Sequence, residues 1–398
     1  MKSNYEKNVT YLSYTGMDEP LGKTQVIPYI NLISQFSEVH LISFEKKKLT
    51  ISEKSLIVSK LQSNKTRWSA KKYHKSPRMM ATIYDILSMI YLLFLDRQKS
   101  KIHYVHCRGY VTCIAAFVYS IFFTRVRYIF DMRAFWPDEL VSAKSLRKSS
   151  LIYFLLKKVE KLLISNSYST IVLTNAAKKY LLNQPEFNHK NFYTIPTCVD
   201  HDKFAGLVKN RTLKEKESIV IGTIGTLSSG WFMLREFADF LNLFRKTCPR
   251  AIIRIITQDN PEKLLSKISV FGVPEKEIEI YSASSDEMPN EIVKFDIIVM
   301  FFVSNFSKLG SAPTRFGEAL ASGVPCVVNS GVGDLDKIVQ ENNVGVVATD
   351  FSDLAMTENC NEVLSLLGDN SLKIRCVEAS KKYFSLELAV NSYQELYG

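Results

Sequence analysis

The chain has 398 residues, more than one ordinary core holds, and its 46% apolar composition is that of a globular protein of two similar domains, which excludes disordered and fibrous classes. Seven cysteines, at 107, 113, 198, 248, 326, 360 and 376, are odd in number, scattered and outside any CxxC or His-paired spacing, which excludes a disulfide framework and a zinc site. The net charge of +11 is uneven: residues 1–198 hold 30 Lys and Arg against 13 Asp and Glu, a net +17, while residues 199–398 hold 21 against 27, a net −6. A basic half suits an anionic membrane surface; no RNA or DNA module accompanies it, so no nucleic-acid partner is expected.

The N-terminal MKSNYEKNVTYLSY runs into a strand pattern without the apolar core and cleavage site of a signal peptide, so a cytoplasmic location is expected. Strands are predicted at Asn8–Tyr14, Val39–Phe44, Ile102–Cys107, Val126–Phe130, Thr170–Thr174 and Phe192–Ile195, with helical patterns between most of them. The longest apolar runs, Ile86–Leu95 and Cys113–Phe123, are about half the ~18 to 20 residues that cross a bilayer and are expected as buried helices. The basic, aromatic stretch from Arg67 to Arg78 lacks clear periodicity and is predicted as an exposed loop. Leu146–Ile164 is predicted as an amphipathic helix whose apolar stripe is flanked by Lys157, Lys158 and Lys161, a face for the sheet or for anionic lipid.

Polar residues 200–217 serve as a linker after a first domain of residues 1–199. A second alternation, over Ser218–Ile224, Ala251–Ile256, Glu277–Tyr281, Asp296–Phe301, Val324–Val328 and Val344–Val347, makes a second domain of residues 218–380. The expected architecture is α/β, two Rossmann-like domains with parallel sheets facing across a cleft, and the last helix, residues 381–398, is expected to return to the first domain.

Four segments suggest chemistry. Gly16 and Gly22 follow the first strand, where a glycine loop lets a ligand approach the backbone; this is not GxGxxG, and the only acid after the second strand is Glu45 in a Lys-rich turn, so a nicotinamide cofactor is not expected. His106 and Arg108 end one strand and Asp131 and Arg133 the next, which places four polar groups at the rim where catalytic residues collect, with arginines suited to phosphate. Gly222, Gly225 and Thr226 open the second domain as a backbone nest, aided by Ser228 and Ser229. The run from 311 to 339 is the most informative: Ser311, Ala312, Pro313 and Thr314 form a helix start suited to a diphosphate, and Glu318 lies about one turn in, suited to hydroxyls.

YTGMDEPLGKTQVIPYI, IPTCVDHDKF and SAPTRFGEALASGVPCVV, in this order, resemble the glycine loop, the end-of-first-domain signature and the donor segment of retaining GT-B glycosyltransferases of family 4, common in bacterial surface polysaccharide assembly such as lipopolysaccharide or capsule. The resemblance spans nearly the whole chain. It implies a hexosyltransferase-type enzyme that uses a nucleotide-diphosphate sugar, needs no metal or other cofactor, and transfers with retention to a glycan or polyprenyl-diphosphate-linked acceptor. It also implies a peripheral position on the inner face of the cell membrane. The family pattern has two glutamates eight positions apart; Glu318 matches the second, expected on the donor ribose, and the first falls on Gly310. The usual Arg and Lys pair is not plain after GTIGTLSSGW, and Lys308 and Arg315 are the nearest cations to stand against the leaving diphosphate. The same fold also admits a nucleotide-sugar 2-epimerase, and the missing glutamate admits a non-catalytic partner of another transferase.

Overall fold

The computed structural model describes residues 7–63, 65–99, 104–123, 125–208 and 218–397. The start of the predicted 102–107 strand and linker residues 209–217 lie outside these. The chain divides into two compact units, one built from the residues through Ile195 together with those from Leu386 onward, the other from Pro196–Ser385.

The first unit runs β1 (Lys7–Ser13), α1 (Ile27–Ile33), β2 (Ser37–Glu45), α2 (Ile51–Lys60), β3 (Thr66–Lys72), α3 (Arg78–Lys99), β4 (Tyr104–Arg108), α4 (Tyr110–Phe122), β5 (Arg127–Asp131), α5 (Trp136–Ser142), α6 (Leu151–Asn166), β6 (Ser169–Val172), α7 (Asn175–Leu182) and β7 (Phe192–Thr194). The second runs β8 (Val220–Ile224), α8 (Leu234–Thr247), β9 (Ile252–Ile256), α9 (Pro261–Ser269), β10 (Ile278–Tyr281), α10 (Met288–Ile292), β11 (Ile297–Met300), α11 (Thr314–Ala321), β12 (Cys326–Asn329), α12 (Leu335–Asn342), β13 (Gly345–Ala348), α13 (Asp353–Leu367) and α14 (Leu372–Phe384). The closing helix, α15 (Leu386–Tyr397), belongs to the first unit and packs on α1 and β7.

Both sheets are parallel and share one strand order, β3-β2-β1-β4-β5-β6-β7 and β10-β9-β8-β11-β12-β13. That is the order of dinucleotide-type folds, with the direction of winding reversing between β1 and β4 and between β8 and β11; ligands bind beyond the carboxyl ends of the strands at such a reversal. Strands covered on both faces read as unbroken apolar runs, and Ile297–Met300 is fully buried. Helix α8 buries Phe237, Phe240, Leu241 and Phe244 against one face of the second sheet, each side chain worth ~1.5 to 3 kcal/mol. On the other face α11, α12 and α14 cover β11 and β12 through residues such as Phe316, Leu320 and Ile338.

The structure corrects several expectations. The first half of the Arg67–Arg78 stretch is strand: β3 pairs with β2 as the sheet edge, where charges on a half-exposed strand hide its periodicity. The Ile86–Leu95 run lies in a 22-residue helix buried on one face only: Met89 and Leu93 turn inward, while Leu87, Tyr91 and Phe94 face outward. Residues 196–208, placed by sequence at the end of the first domain and in the linker, sit in the second unit: Val199 N donates to the Phe384 carbonyl at 2.8 Å, and His201 Nε2 and Ser380 Oγ lie 3.0 Å apart.

Candidate active site

In the first unit the loop after β1 closes on itself. The Gly16 amide donates to Glu19 at 2.9 Å and the Met17 amide to Glu45 at 3.0 Å, while Ser43 holds Glu45 at 2.6 Å. A Cβ on Gly22 would stand 2.1 Å from the Gly16 carbonyl oxygen, and one on Gly16 would stand 2.5 Å from Glu45 Oε2. These glycines are required by packing of the loop against itself, and its amides face carboxylates. Glu45, at the end of β2 where a dinucleotide fold presents an acid to ribose, is spent on this loop.

The loop leads into a π-helical turn, Gly22–Val26, that aims Gln25 at the rim. Parallel register sets Tyr11 beside His106 and Arg108 beside Asp131, so all four predicted groups come together. Arg133 donates to Asp131 Oδ1 at 3.3 Å, and Arg108 and His106 Nε2 each lie 3.5 Å from Oδ2. Gln25 Oε1 accepts from Arg108 at 2.7 Å and Arg133 at 3.2 Å. The Tyr11 ring stacks on the imidazole at 4.3 Å, and Tyr397 of α15 meets Nδ1 at 2.6 Å.

His106 and Asp131 have no exposed surface, and Tyr393 and Tyr397 complete the covering. In this arrangement the pair stands against the two arginines. Burial depresses the imidazole pKa against the pull of Asp131. For Asp131 burial acts upward, but Arg133, then His106 and Arg108, outweigh it and hold the carboxyl well below the usual range. Gln25, Tyr11, Tyr393 and Tyr397 were not singled out by sequence; Gln25 lies three residues past Gly22, which is the one signal that points to it.

In the second unit Gly225 adopts φ 139° with nothing within 4 Å of a would-be Cβ, leaving an open approach, and Thr226 beside it is exposed. The rest of this nest is already occupied. Gly225 N donates to Ile256 O at 3.0 Å, Leu227 N and Ser228 N donate to Asp259 at 2.6 and 3.0 Å, and the Ser228 hydroxyl binds the same carboxylate. Asp259, unremarked in the sequence, accepts from these groups within the unit itself.

Beyond β11 the Asn329 side chain clamps the backbone of Phe302 in both directions, at 2.8 and 2.9 Å. A short turn, Phe306–Gly310, follows and sets Lys308 Nζ 3.9 Å from the centre of the Trp231 ring. Gly310 is buried. Ser311 and Ala312 lead to Pro313, which occupies the cap position of α11; neither it nor a hydroxyl caps the helix, as had been expected of this start. Thr197 ties down the Ala312 carbonyl at 2.9 Å, and Gly317 packs where a Cβ would lie 2.9 Å from Val199, so the IPTCVDHDKF segment seats this helix.

Glu318 is partly exposed and ion-paired with Arg315 one turn before it. Burial pushes its carboxyl pKa up, opposed by Arg315 and Lys203. A separate open pocket of ≈ 630 Å³ at the same sheet's rim, by Phe232, Ser304, Asn329 and Thr349, includes none of these three charges. Among the described residues no group of three or more His, Cys, Asp or Glu is placed to hold a metal ion.

No protein-family model and no curated protein matches the sequence. Solved structures do. A glycosyltransferase from Rickettsia africae ESF-5 superposes with TM-score 0.69 at 15% identity, over 99% of this chain and 98% of that one. Anabaena Alr3699/HepE in complex with UDP and glucose gives 0.68 at 11% over 98% of each, and the lipopolysaccharide outer core galactosyltransferase WaaB gives 0.67 at 11% over 98% of each. The chain has the GT-B fold. Identities this low carry the fold alone.

Proposed function

We propose that the chain is a retaining, family 4-like glycosyltransferase that moves a hexosyl group from a nucleoside-diphosphate sugar to a glycan or lipid-linked oligosaccharide in surface polysaccharide synthesis. The observation that carries this reading is Glu318: a mostly covered carboxylate one turn into a helix whose N-cap residue, Pro313, makes no side-chain cap, with Arg315 beside it. Amides at a helix start suit a diphosphate, and the carboxylate suits ribose hydroxyls. The HepE structures with UDP and with UDP-glucose, on the same fold, support a donor of this class.

In the reaction the bond between the anomeric carbon and the diphosphate oxygen breaks with its electron pair going to the diphosphate. The acceptor oxygen then bonds that carbon on the same face, and its proton passes to the leaving group. Lys308 and Arg315, with the α11 amides, are assigned to the developing negative charge, a kind of interaction worth ~3 to 4 kcal/mol per well-aimed group. Arg108 and Arg133, held by Asp131 and Gln25, are the first unit's candidate catalytic cations.

The test is calorimetric binding of UDP, GDP and ADP to the wild type and Glu318→Gln, followed by NMR of sugar released from the preferred donor without acceptor. A charge-assisted bond of ~1.5 to 3 kcal/mol predicts about ten- to hundredfold weaker nucleotide binding in the variant. Unchanged affinity removes Glu318 from the ribose, and a first-released sugar of inverted configuration ends the retaining assignment.

A further inference from the structure

Two helices of the first unit are built inside out. On α3 the buried face is Ala81, Asp85, Met89, Leu93 and Asp96, so its two central carboxylates point inward. Asp85 is held by Tyr14 at 2.7 Å and His74 at 2.6 Å, and Asp96 by Thr10 at 2.7 Å and His40 at 2.8 Å, with Arg67 also on it. The outward face is Met79, Met80, Ile83, Tyr84, Leu87, Tyr91 and Phe94, with Met79 73%, Tyr84 59% and Tyr91 61% exposed. At 100° per residue these seven fall within one arc of roughly 140°, and between Met79 and Phe94 no charged residue falls in it.

Helix α6 repeats the inversion. Glu160 is buried, bonded to Tyr110 at 2.6 Å and paired with Lys157, while Leu151, Ile152, Phe154, Leu155 and Leu162 are exposed. Lys161 pairs with Glu186 at 3.0 Å, so two of the three lysines expected to meet lipid are engaged within the protein. Helix α4 packs against both α3 and α6 and adds exposed Ile121 and Phe122 at its end. Crossover helices on one face of a parallel sheet all run against the strands, so α3 and α6 begin at the same end. Exposed Lys72, Lys75 and Arg78 stand there before α3, and exposed Lys144, Arg147 and Lys148 before α6.

We propose that this face of α3, α4 and α6 docks flat on an anionic bilayer, with the aliphatic and aromatic side chains in the headgroup and acyl boundary and the two basic clusters on lipid phosphates. Apolar side chains with cations at one margin match such a surface, and the net +17 of residues 1–198 adds attraction. Helix α3 is the one described helix long and apolar enough to cross a membrane, but its ties from Asp85 and Asp96 to the sheet side hold it to the protein, which fixes it as an interfacial element. The proposal does not depend on the donor chemistry.

Flotation of the full chain with vesicles tests it, and no donor is needed. The wild type is expected to float with phosphatidylcholine and phosphatidylglycerol in equal parts and to stay behind with phosphatidylcholine alone. Leu87→Ser with Tyr91→Ser, at exposed positions, is expected to lower partitioning at least about tenfold while leaving circular dichroism and the melting temperature unchanged. Lys72→Glu with Lys75→Glu and Arg78→Glu is expected to abolish the preference for anionic vesicles. Failure of the wild type to float, equal flotation on both vesicles, or wild-type partitioning by the serine variant would each overturn the proposal. So would a wild-type dimer in solution that stays off vesicles and that the serine substitutions dissociate, because the face would then belong to a second copy.

Discussion

Replacing Asp131 with Asn removes the carboxylate faced by Arg133 at 3.3 Å and by Arg108 and His106 at 3.5 Å, without changing side-chain size. With an effective dielectric constant of about 20, a unit-charge contact at this distance is worth roughly 5 kcal/mol before desolvation. Losing one partner of a buried ion pair while the others remain costs about 3 to 5 kcal/mol, because the guanidinium groups keep their burial and lose their compensation. Two of the three tryptophans, Trp68 and Trp136, lie in the first unit and Trp231 in the second, so in a Trp231→Phe background fluorescence reports the first unit alone. With a urea slope of about 3 kcal/mol per molar, suited to a unit of this size, the midpoint is expected about 1 to 1.7 M lower. Adding Arg133→Gln to Asp131→Asn is expected to recover part of the loss. A midpoint that moves by less than about 0.3 M, or a double variant worse than the sum of its parts, would show that the cluster is not held together by this charge.

Stability of the same unit is expected to fall as pH drops below about 6.5: the imidazole gains a proton in the unfolded chain while burial keeps folded His106 neutral. His106→Gln is expected to flatten that slope in urea titrations at stepped pH. Asp131 acts lower, its contribution being present above the ordinary aspartate value and lost as pH falls through its depressed folded one. Trp231→Leu removes the ring under Lys308 and is expected to weaken nucleoside-diphosphate binding about two- to tenfold by calorimetry; unchanged affinity would mean that the indole does not place the lysine. Gly22→Ala puts a Cβ 2.1 Å from a backbone oxygen and is expected to destabilise the first unit by about 1 to 3 kcal/mol, read as a lower urea midpoint in the Trp231→Phe background.

Both sheets were legible from apolar runs because parallel strands buried on two faces carry no other pattern: Ile297–Met300 and Ile252–Ile256 fall inside their predicted spans. Edge strand β3 was missed because Arg67, Lys71 and Lys72 satisfy an exposed edge and break alternation. The burial of α3 was misjudged for a related reason. A helix with carboxylates inside and apolar groups outside has the period of an ordinary core helix, and only partners far along the chain, such as Thr10 and Tyr14, reveal which face turns inward. Rim residues after β4 and β5 were legible from strand register, whereas their closure by Tyr393 and Tyr397 was not, since it joins residues almost three hundred positions apart.

The two glycine loops share a logic that bears on where an anion binds. In each unit the loop after the first strand turns its amides toward carboxylates, Glu19 of the loop itself and Glu45 of β2 in one and Asp259 in the other. An internal carboxylate at that place satisfies the same donors that a phosphate would, and it opposes a second negative charge nearby. The unit that contains α11 is also acidic, residues 196–385 holding 21 Lys and Arg against 25 Asp and Glu, a net −4, so a diphosphate gains no help from the general field there. Local cations must outweigh both effects. Lys308 on its indole, Arg315 on Glu318 and Lys203 within electrostatic reach of that glutamate are drawn from three separate segments around one helix start. That convergence is the reason the proposed donor site is assigned to the start of α11 rather than to either glycine loop.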